Sequence, residues 1–247
     1  MKFIGIIPAR YASTRFPGKP LARIGDKPMI RHVYENASRC SILTNLIIAT
    51  DDERIRKAVE SFDAQVMMTS TAHKSGTDRC GEVAKKLLNN SSCAPEDIVI
   101  NIQGDEPFIS EKQIAEVAEP FMGENAEIAT LIKASRDENE HVDANVVKVV
   151  IDKLGKAMYF SRSPVPFFRM PSSHKGKDDA GFFKHIGIYA FTVKTLLHIT
   201  GLPMGKLEKA ESLEQLRWLE NGLSIHTRIT ETENFSIDTP RDLKKLP

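Results

Sequence analysis

The stretch FIGII at residues 3–7, followed at once by PARYASTRFPGKPL at 8–21, decides the fold. An apolar run without polar alternation predicts a strand that is covered on both of its faces. Two further runs of this kind, at 46–49 and 98–102, are separated from it by helical patterns such as the one at 29–37. Strands spaced by helices predict βαβ crossovers, and therefore a largely parallel sheet flanked by helices.

The second half of the chain predicts that this sheet becomes mixed. Strand-like runs with short connections lie at 127–132, 146–151 and 157–160, and two further strands are predicted at 186–191 and 225–229. Residues 164–181 are rich in Pro, Ser, Gly, Lys and Asp and predict a mobile surface loop. Residues 207–220 predict one amphipathic helix, whose leucines suit the core or a subunit interface; a solvated side is the simplest interpretation of Glu208, Glu211 and Glu214.

Composition indicates one α/β domain over the whole length, 1–247, that is soluble and cytoplasmic. No repeat or linker divides the sequence, and its 34 basic and 33 acidic side chains nearly cancel. Nucleic-acid-binding proteins usually carry a basic excess, so no nucleic-acid partner is expected. The first apolar run ends at Pro8 and Arg10, too early for a signal peptide, and no stretch approaches the ~20 apolar residues that cross a bilayer. No membrane partner is therefore expected. Three cysteines without a CxxC pair predict reduced thiols rather than disulfides or a zinc site.

The loop after the first strand gathers positive charge at Arg10, Arg15 and Lys19. Because ligands bind beyond the carboxyl ends of strands in open α/β sheets, this position favours a phosphate site over a solvated basic loop. The loop is not a Walker A motif, since Pro20 rather than Ser or Thr follows Lys19, and no GxGxxG supports dinucleotide binding. Clustered cations of this kind suit a triphosphate and its leaving pyrophosphate.

Two aspartates are candidate Mg²⁺ ligands. Asp105 follows the strand at 98–102 in the sequence QGDEP. Mg²⁺ takes one or two protein carboxylates and completes its shell with phosphate oxygens and water, whereas a turn aspartate explains this segment equally well. Asp238, in SIDTP, stands two residues before Pro240. On its own that pattern favours a helix N-cap over a metal ligand.

Two further segments carry groups that suit ligand binding. HKSGTDR at 73–79 opens a predicted helix, and its glycine and free N–H groups suit a nucleobase edge or an anion. Capping by Thr77 explains part of that pattern equally well. His185 and Tyr189 share one face of a predicted strand, where a core role is more common than a catalytic one.

Seven segments follow one another along nearly the whole chain: IPARYASTRFPGKPL (7–21), SGTDR (75–79), NIQGDEP (101–107), YFSR (159–162), KHIGIY (184–189), LEQLR (213–217) and IDTPRDL (237–243). In this order and at this spacing they resemble the 3-deoxy-manno-octulosonate cytidylyltransferases, also called CMP-Kdo synthetases. Sialic-acid cytidylyltransferases are similar in outline, but their first loop departs from the STRFPGKPL of this chain. Phe167 stands where the resembled family commonly has tryptophan.

The resemblance implies a nucleotide-diphospho-sugar-transferase-like fold that is active as a homodimer. It implies that CTP and Kdo (3-deoxy-D-manno-octulosonate) react to give CMP-Kdo and pyrophosphate, the step that activates Kdo for lipopolysaccharide synthesis. Two alternatives remain: a cytidylyltransferase for an 8-amino-Kdo analogue or another acidic sugar, and a non-catalytic nucleotide-binding regulator. The presence of both Asp105 and Asp238 disfavours the regulator.

The resemblance also implies roles for individual side chains, carried over motif by motif. The residues implied for CTP binding are Arg10, Lys19, Ser75, Gly76, Arg79 and Gln103. The residues implied for Kdo binding are Gln103, Arg162, His185, Tyr189, Glu214 and Gln215. Mg²⁺ is the implied cofactor, and the implied catalytic set consists of its ligands Asp105 and Asp238 together with Arg10 and Lys19.

Overall fold

The computed structural model describes residues 1–13, 16–169, 181–233, 235–237 and 239–245. The strands are β1 (Phe3–Ala9), β2 (Arg23–Ile24), β3 (Lys27–Pro28), β4 (Leu43–Thr50), β5 (Gln65–Met68), β6 (Ile98–Asn101), β7 (Ile128–Ser135), β8 (Lys148–Ile151), β9 (Ala157–Ser161), β10 (Phe182–Thr192) and β11 (His226–Ile229). The α-helices are α1 (Met29–Ala37), α2 (Glu53–Glu60), α3 (Gly76–Asn89), α4 (Glu111–Ala118), α5 (Glu138–Val142), α6 (Val193–Thr200), α7 (Lys206–Glu211) and α8 (Gln215–Glu220). Short 3-10 helices lie at Lys19–Leu21, Glu119–Met122 and Asp242–Lys245.

One sheet takes up all of these strands except the β2–β3 hairpin. Its order is β11-β7-β10-β6-β1-β4-β5, and β8 pairs with β10 and with β9. The pairs β1–β4, β1–β6, β4–β5 and β7–β11 are parallel, whereas β10 is antiparallel to β6, β7 and β8, and β9 to β8. Only β9 and β10 therefore run against the common direction of the sheet. The predicted α/β fold with a mixed, mostly parallel sheet is confirmed.

The core lies on both faces of the sheet because its central strands are apolar at nearly every position. Ile6, Ile47 and Val99 are fully buried on the face that α3 and α6 cover. Ile7 and Ile48 are fully buried on the opposite face, beneath α1, α2 and α4. The side chains of the central strands therefore pack in the core. The polar groups that can contact a ligand lie beyond the carboxyl ends of these strands.

The prediction of a single helix at 207–220 is wrong, because the segment forms α7 and α8 with a break between them. Ser212 ends α7 with a φ of 52°, in the left-handed region that commonly terminates helices. Leu213 then turns into the core, where it is 6 % exposed, and Glu214 turns towards α3. The leucines keep near-helical spacing across the break, so periodicity did not reveal it.

Three helices that the sequence patterns did not predict, α4, α5 and α6, each begin at a capping side chain. The caps are Ser110, Asp137 and Thr192, each of which accepts a backbone N–H from the first turn. The capping box of Ser110 with Gln113 is a sequence pattern from which the start of α4 could have been predicted. Of the loop predicted at 164–181, residues 170–180 lie outside the described part of the chain.

Within the described ranges, no helix combines the length and apolar character that crossing a membrane requires. Cys40, Cys80 and Cys93 are buried as free thiols, each in a separate part of the chain. Burial raises the pKa of the Cys80 thiol strongly, which disfavours its reactive thiolate form.

Candidate active site

Three segments meet at the carboxyl ends of β1 and β6 and enclose a cavity of about 340 Å³, called the first cavity below. Residues 8–13 and 19–20 come from the end of β1 and the loop after it, residues 73–79 lead into α3, and residues 103–105 follow β6. Parallel pairing sets the ends of β1 and β6 side by side, so loops distant in sequence meet there. The first cavity is lined by all the described residues that were predicted to bind CTP or a metal: Arg10, Lys19, Ser75, Gly76, Arg79, Gln103 and Asp105.

Tyr11 and Gly18 shape the loop that follows β1. Gly18 has a φ of 71°, a left-handed conformation that favours glycine, and its N–H donates to the Tyr11 carbonyl oxygen over 2.9 Å. The Tyr11 ring packs beside Gly18, and the guanidinium of Arg54 stacks on that ring 3.3 Å from its centroid. This packed turn places Lys19 at the start of a 3-10 helix on the rim of the first cavity.

The segment after β6 brings Asp105 against the same loop. Lys19 Nζ donates to Asp105 Oδ2 over 2.6 Å, and the carboxylate side chain remains 31 % exposed. Gly104 makes this approach possible, because a Cβ at that position would lie 2.7 Å from the Pro8 carbonyl oxygen. The glycine of QGDEP is thus explained by the closeness of the two strand ends.

Asp238, the second predicted metal ligand, lies outside the described residues. Ile237, the residue before it, donates its backbone N–H to the carbonyl oxygen of Asp105 over 3.0 Å. On the other side, the Thr239 N–H and hydroxyl both donate to Asp242 Oδ2 over 2.9 Å, at the start of the last 3-10 helix. Ile237 is therefore hydrogen-bonded to Asp105. The pairing of Asp105 and Asp238 at one metal ion stays a prediction.

The N-terminus of α3 faces the first cavity. Ser75 Oγ accepts the Asp78 N–H over 3.1 Å, and the Asp78 carboxylate accepts the Ser75 N–H over 3.3 Å, which completes a capping box. The alternative that Thr77 caps this helix is wrong, because its hydroxyl donates to Glu214 instead. Since Ser75 and Gly76 line the first cavity, the positive end of the α3 dipole favours an anion there.

Arg79 lines the first cavity with a charge that is already balanced. It is 3 % exposed, and it donates to Asp51 Oδ2 over 3.0 Å and to the hydroxyl of Thr69. Burying an unpaired guanidinium is costly, so Asp51 makes this position tenable.

His73 also lines the first cavity, and its Nε2 is hydrogen-bonded to Glu82 Oε2. Burial raises the pKa of Glu82, but hydrogen bonds from Lys86, the Ser70 N–H and His73 lower it by more, to about 2. This carboxylate therefore stays ionised over the working pH range and fixes the segment before α3.

Glu214 joins α3 to the break between α7 and α8. Ser75 Oγ donates to Glu214 Oε1 over 2.9 Å, and Thr77 Oγ1 donates to Oε2 over 2.7 Å. Burial raises the pKa of Glu214 although both hydroxyls act to lower it. The expectation of a solvated glutamate face is wrong, since Glu208 is 7 % exposed and Glu211 accepts hydrogen bonds from the end of β9.

Arg162 supports the same break through main-chain contacts. Its guanidinium donates to the carbonyl oxygens of Glu211 (2.7 Å), Ala144 (2.9 Å) and Ser212 (3.4 Å). Its own carbonyl oxygen accepts from Lys148 Nζ over 2.6 Å. In the structure Arg162 thus holds the left-handed turn in place, and its contact with a sugar carboxylate stays a prediction.

His185 and Tyr189 lie in an aromatic cluster on β10. The His185 ring meets Phe160 and Tyr189 at centroid distances of 5.3 and 5.2 Å, and its Nε2 is 2.9 Å from the Thr130 hydroxyl. Burial lowers the pKa of His185 to about 3, so the imidazole is neutral near neutral pH. Burial, with the charge of Glu214 adding to it, raises the pKa of Tyr189, which keeps the phenol protonated.

A second cavity of about 580 Å³ adjoins the first, since Lys74 and Ser75 line both of them. Of the residues predicted to bind the sugar, Gln103 lines the first cavity and Glu214 the second. The remaining four line neither of these two cavities: Arg162, His185, Tyr189 and Gln215.

Sequence reasoning missed two residues at this junction. Thr77 is a partner of Glu214, and Arg217 donates from NH2 to Glu214 Oε1 over 3.0 Å. The spacing of Glu214 and Arg217, three residues apart at the start of α8, was an available signal for the second contact.

Comparison with known proteins gives matches over nearly the whole chain. The cytidylyltransferase family model matches residues 4–228. The 3-deoxy-manno-octulosonate cytidylyltransferase of Parabacteroides distasonis is 50 % identical over 99 % of this chain and 96 % of that protein. Its counterpart from Bacteroides thetaiotaomicron is 51 % identical with the same two coverages. A solved structure of CMP:2-keto-3-deoxy-manno-octonic acid synthetase complexed with CTP matches with a TM-score of 0.89 and 39 % identity, over 99 % of this chain and 96 % of that one.

Proposed function

The chain belongs to the 3-deoxy-manno-octulosonate cytidylyltransferase family, and from this premise we propose that it transfers CMP from CTP to Kdo with release of pyrophosphate. One observation carries the proposal. The described residues predicted for the nucleotide and the metal come from three distant segments, and all of them line the first cavity. A cavity lined by four cationic side chains (Arg10, Lys19, Lys74 and Arg79), a helix N-terminus and a carboxylate suits a metal-bound triphosphate.

In the proposed reaction the anomeric hydroxyl oxygen of Kdo forms a bond to the α-phosphorus of CTP. The bond from that phosphorus to the oxygen bridging to the β-phosphate breaks, pyrophosphate leaves with the electron pair, and the hydroxyl proton is released. Such a transfer depends on positioning and on spreading negative charge. Lys19 and Arg10, which follow β1, would take up the charge that grows on the leaving pyrophosphate.

Mg²⁺ is the proposed cofactor, and the described residues fit it. Asp105 offers a partly exposed carboxylate in the wall of the first cavity. Carboxylate oxygen is a ligand that Mg²⁺ prefers, and substrate phosphates usually complete its shell. Asp105 would hold the ion together with Asp238, and the backbone bond from Ile237 to Asp105 supports that pairing. When bound, Mg²⁺ supplies positive charge that polarises phosphate oxygens and eases ionisation of a hydroxyl.

The acceptor is proposed to lie at the junction of the first cavity, which Gln103 lines, with the second cavity, which Glu214 lines. Buried polar groups that a wrong sugar leaves unpaired penalise it heavily, so such a pocket discriminates between acids of similar size. Arg162, His185, Tyr189 and Gln215 remain proposed acceptor residues, which contact the sugar once the segments around the break close on it. His185 would act there as a neutral hydrogen-bonding group, because its pKa is about 3.

The test is pyrophosphate release measured over a grid of nucleotides and acceptors. We expect efficient release with CTP and Kdo, little with sialic acid and none with hexose 1-phosphates. Direct competition between Kdo and its 8-amino analogue decides the acceptor, because these two differ at a single substituent. A preference for the amino sugar would replace the acceptor named here, whereas CTP binding without release for any acid would indicate the regulator.

Three further proposals concern the setting of the reaction. CMP-Kdo would serve lipopolysaccharide synthesis, the location would be the cytoplasm, and the active form would be a homodimer. Light scattering of the purified chain across a dilution series tests the last of these, since a dimer of this 247-residue chain must show twice the monomer mass.

A further inference from the structure

Arg217 has no assigned role, yet it is nearly buried between two carboxylates. Its side chain is 11 % exposed. Nε lies 3.1 Å from Glu208 Oε2, and NH2 donates to Glu214 Oε1 over 3.0 Å. NH1 donates to the Leu202 carbonyl oxygen over 2.9 Å. Two hydrogen bonds, to Leu202 and Glu214, and the ion pair with Glu208 hold this guanidinium in one orientation, because its planar fork cannot turn without losing one of the hydrogen bonds.

Glu214 connects Arg217 to the beginning of α3 by hydrogen bonds. Its two carboxylate oxygens accept the hydroxyls of Ser75 and Thr77, which both belong to the beginning of that helix. Ser75 lines the first and the second cavity, whereas Glu214 and Arg217 line the second only. The contacts from Arg217 through Glu214 therefore connect the second cavity to Ser75, a residue that lines both cavities.

We propose that Arg217 is a positioning residue, which orients the Glu214 carboxylate so that the α3 N-terminus keeps its place between the nucleotide and the acceptor. The proposal rests on the proposed function for the identity of these two ligands. Arg217 contacts neither the nucleotide nor the acceptor directly. It acts through Glu214 on the distance and angle between their two sites.

The charge of Arg217 adds to the two hydroxyl hydrogen bonds in favouring the carboxylate form of Glu214. Burial and Asp78 favour the protonated acid, whereas Thr77, Ser75 and Arg217 favour the carboxylate. Among the described residues, the other ionisable groups around Glu214 are Glu208, which pairs with the same Arg217, the buried neutral groups of Cys80 and Tyr189, and two lysines that line the second cavity, Lys74 and Lys209. Without Arg217 the acid would keep its proton to higher pH, and one oxygen would become a donor instead of an acceptor.

The experiment compares Arg217→Met with Arg217→Lys and with a matched control, Arg56→Met. Arg56 also joins two glutamates, Glu53 and Glu60, but on the exposed surface of α2. For each protein kcat/KM for Kdo is measured at saturating CTP from about pH 5 to about pH 9, with calorimetric CTP binding and thermal melting alongside.

We expect Arg217→Met to lower kcat/KM about tenfold at neutral pH and to move the acid limb of the profile to higher pH. Arg217→Lys restores the position of the limb because it restores the charge, and Arg56→Met leaves the profile unchanged. A profile of Arg217→Met that superimposes on the wild type would overturn the proposal, as would a limb that moves equally in both methionine variants.

A second variant covers the case in which Arg217→Met does not fold. Glu214→Gln cannot ionise, so the limb assigned to Glu214 must disappear, and its persistence would also overturn the proposal. Failure of the proposed function looks different, because the wild type itself would then release no pyrophosphate with Kdo. CTP binding by Arg217→Met at low and neutral pH would still report in that case whether Arg217 fixes the α3 N-terminus.

Discussion

Replacing Gly104 by alanine tests how closely the ends of β1 and β6 must approach to build the first cavity. The new Cβ would lie 2.7 Å from the Pro8 carbonyl oxygen, whereas ordinary contact begins at 3.4 Å. Both groups belong to the backbone, so no flexible side chain can yield. The two strand ends must therefore part by about 0.7 Å to relieve the overlap.

That displacement acts on the atoms that carry the proposed chemistry. Asp105 follows Gly104 directly, and Lys19, its partner across 2.6 Å, belongs to the loop that Pro8 begins. A misplacement of ~1 Å in a catalytic constellation costs ~10²-fold in rate, so we expect turnover to fall roughly 10- to 100-fold. Overpacking of this kind costs ~1–3 kcal/mol in the free energy of unfolding, or a loss of roughly 5 °C in Tm for a chain of this size.

Gly123→Ala is the matched control, because a Cβ there would have no atom of the described residues within 4 Å. Its only effect should be a small change in Tm from reduced freedom of the unfolded chain. Pyrophosphate release at saturating CTP and Kdo, with thermal melting of each variant, separates the two effects. If Gly104→Ala kept turnover within twofold of Gly123→Ala, the close approach would not matter for the site and the reasoning would be wrong.

The remaining predictions concern charge. Lys19→Met should lower turnover by ~10²-fold while CTP binding, measured by calorimetry, changes less, because the charge matters most as pyrophosphate departs. Asp105→Asn and Asp238→Asn should each lower turnover by at least ~10²-fold with Tm unchanged; early melting with near-normal turnover of Asp238→Asn would instead support the N-cap. Glu82→Gln should lose ~2 kcal/mol of unfolding free energy above pH 4.5, the ordinary pKa of this group. That loss should shrink as the pH falls towards 2, the lowered pKa, when urea unfolding is followed at each pH.

The sequence predicted the part of the site that depends on strand ends. Buried parallel strands are readable as unbroken apolar runs, and the residues that follow them must meet at one edge of the sheet. Lys19 and Asp105 are 86 positions apart, yet both could be placed at the same cavity from this rule alone. The resemblance then named the same positions independently.

The break between α7 and α8 could not be predicted, because its causes are tertiary. Ser212 takes a left-handed conformation without being glycine, and the carbonyl oxygens around it are satisfied by Arg162, which lies 50 positions earlier in the chain. No local pattern carries that information. The alternative that Glu214 lies on a solvated face is wrong for the same reason, since its partners Ser75 and Thr77 belong to a helix much earlier in the chain.

The near-neutral charge of the chain agrees with how the site is charged. Arg79 is balanced by Asp51, and Arg217 is balanced by Glu208 and Glu214, so these buried guanidiniums fix geometry more than they attract anions. Attraction for a triphosphate then falls mainly to the loop after β1, where Arg10 is exposed, and to the backbone N–H groups at the α3 N-terminus. A local arrangement of this kind binds one polyanion at one place, whereas a broad basic face would bind nucleic acid as well.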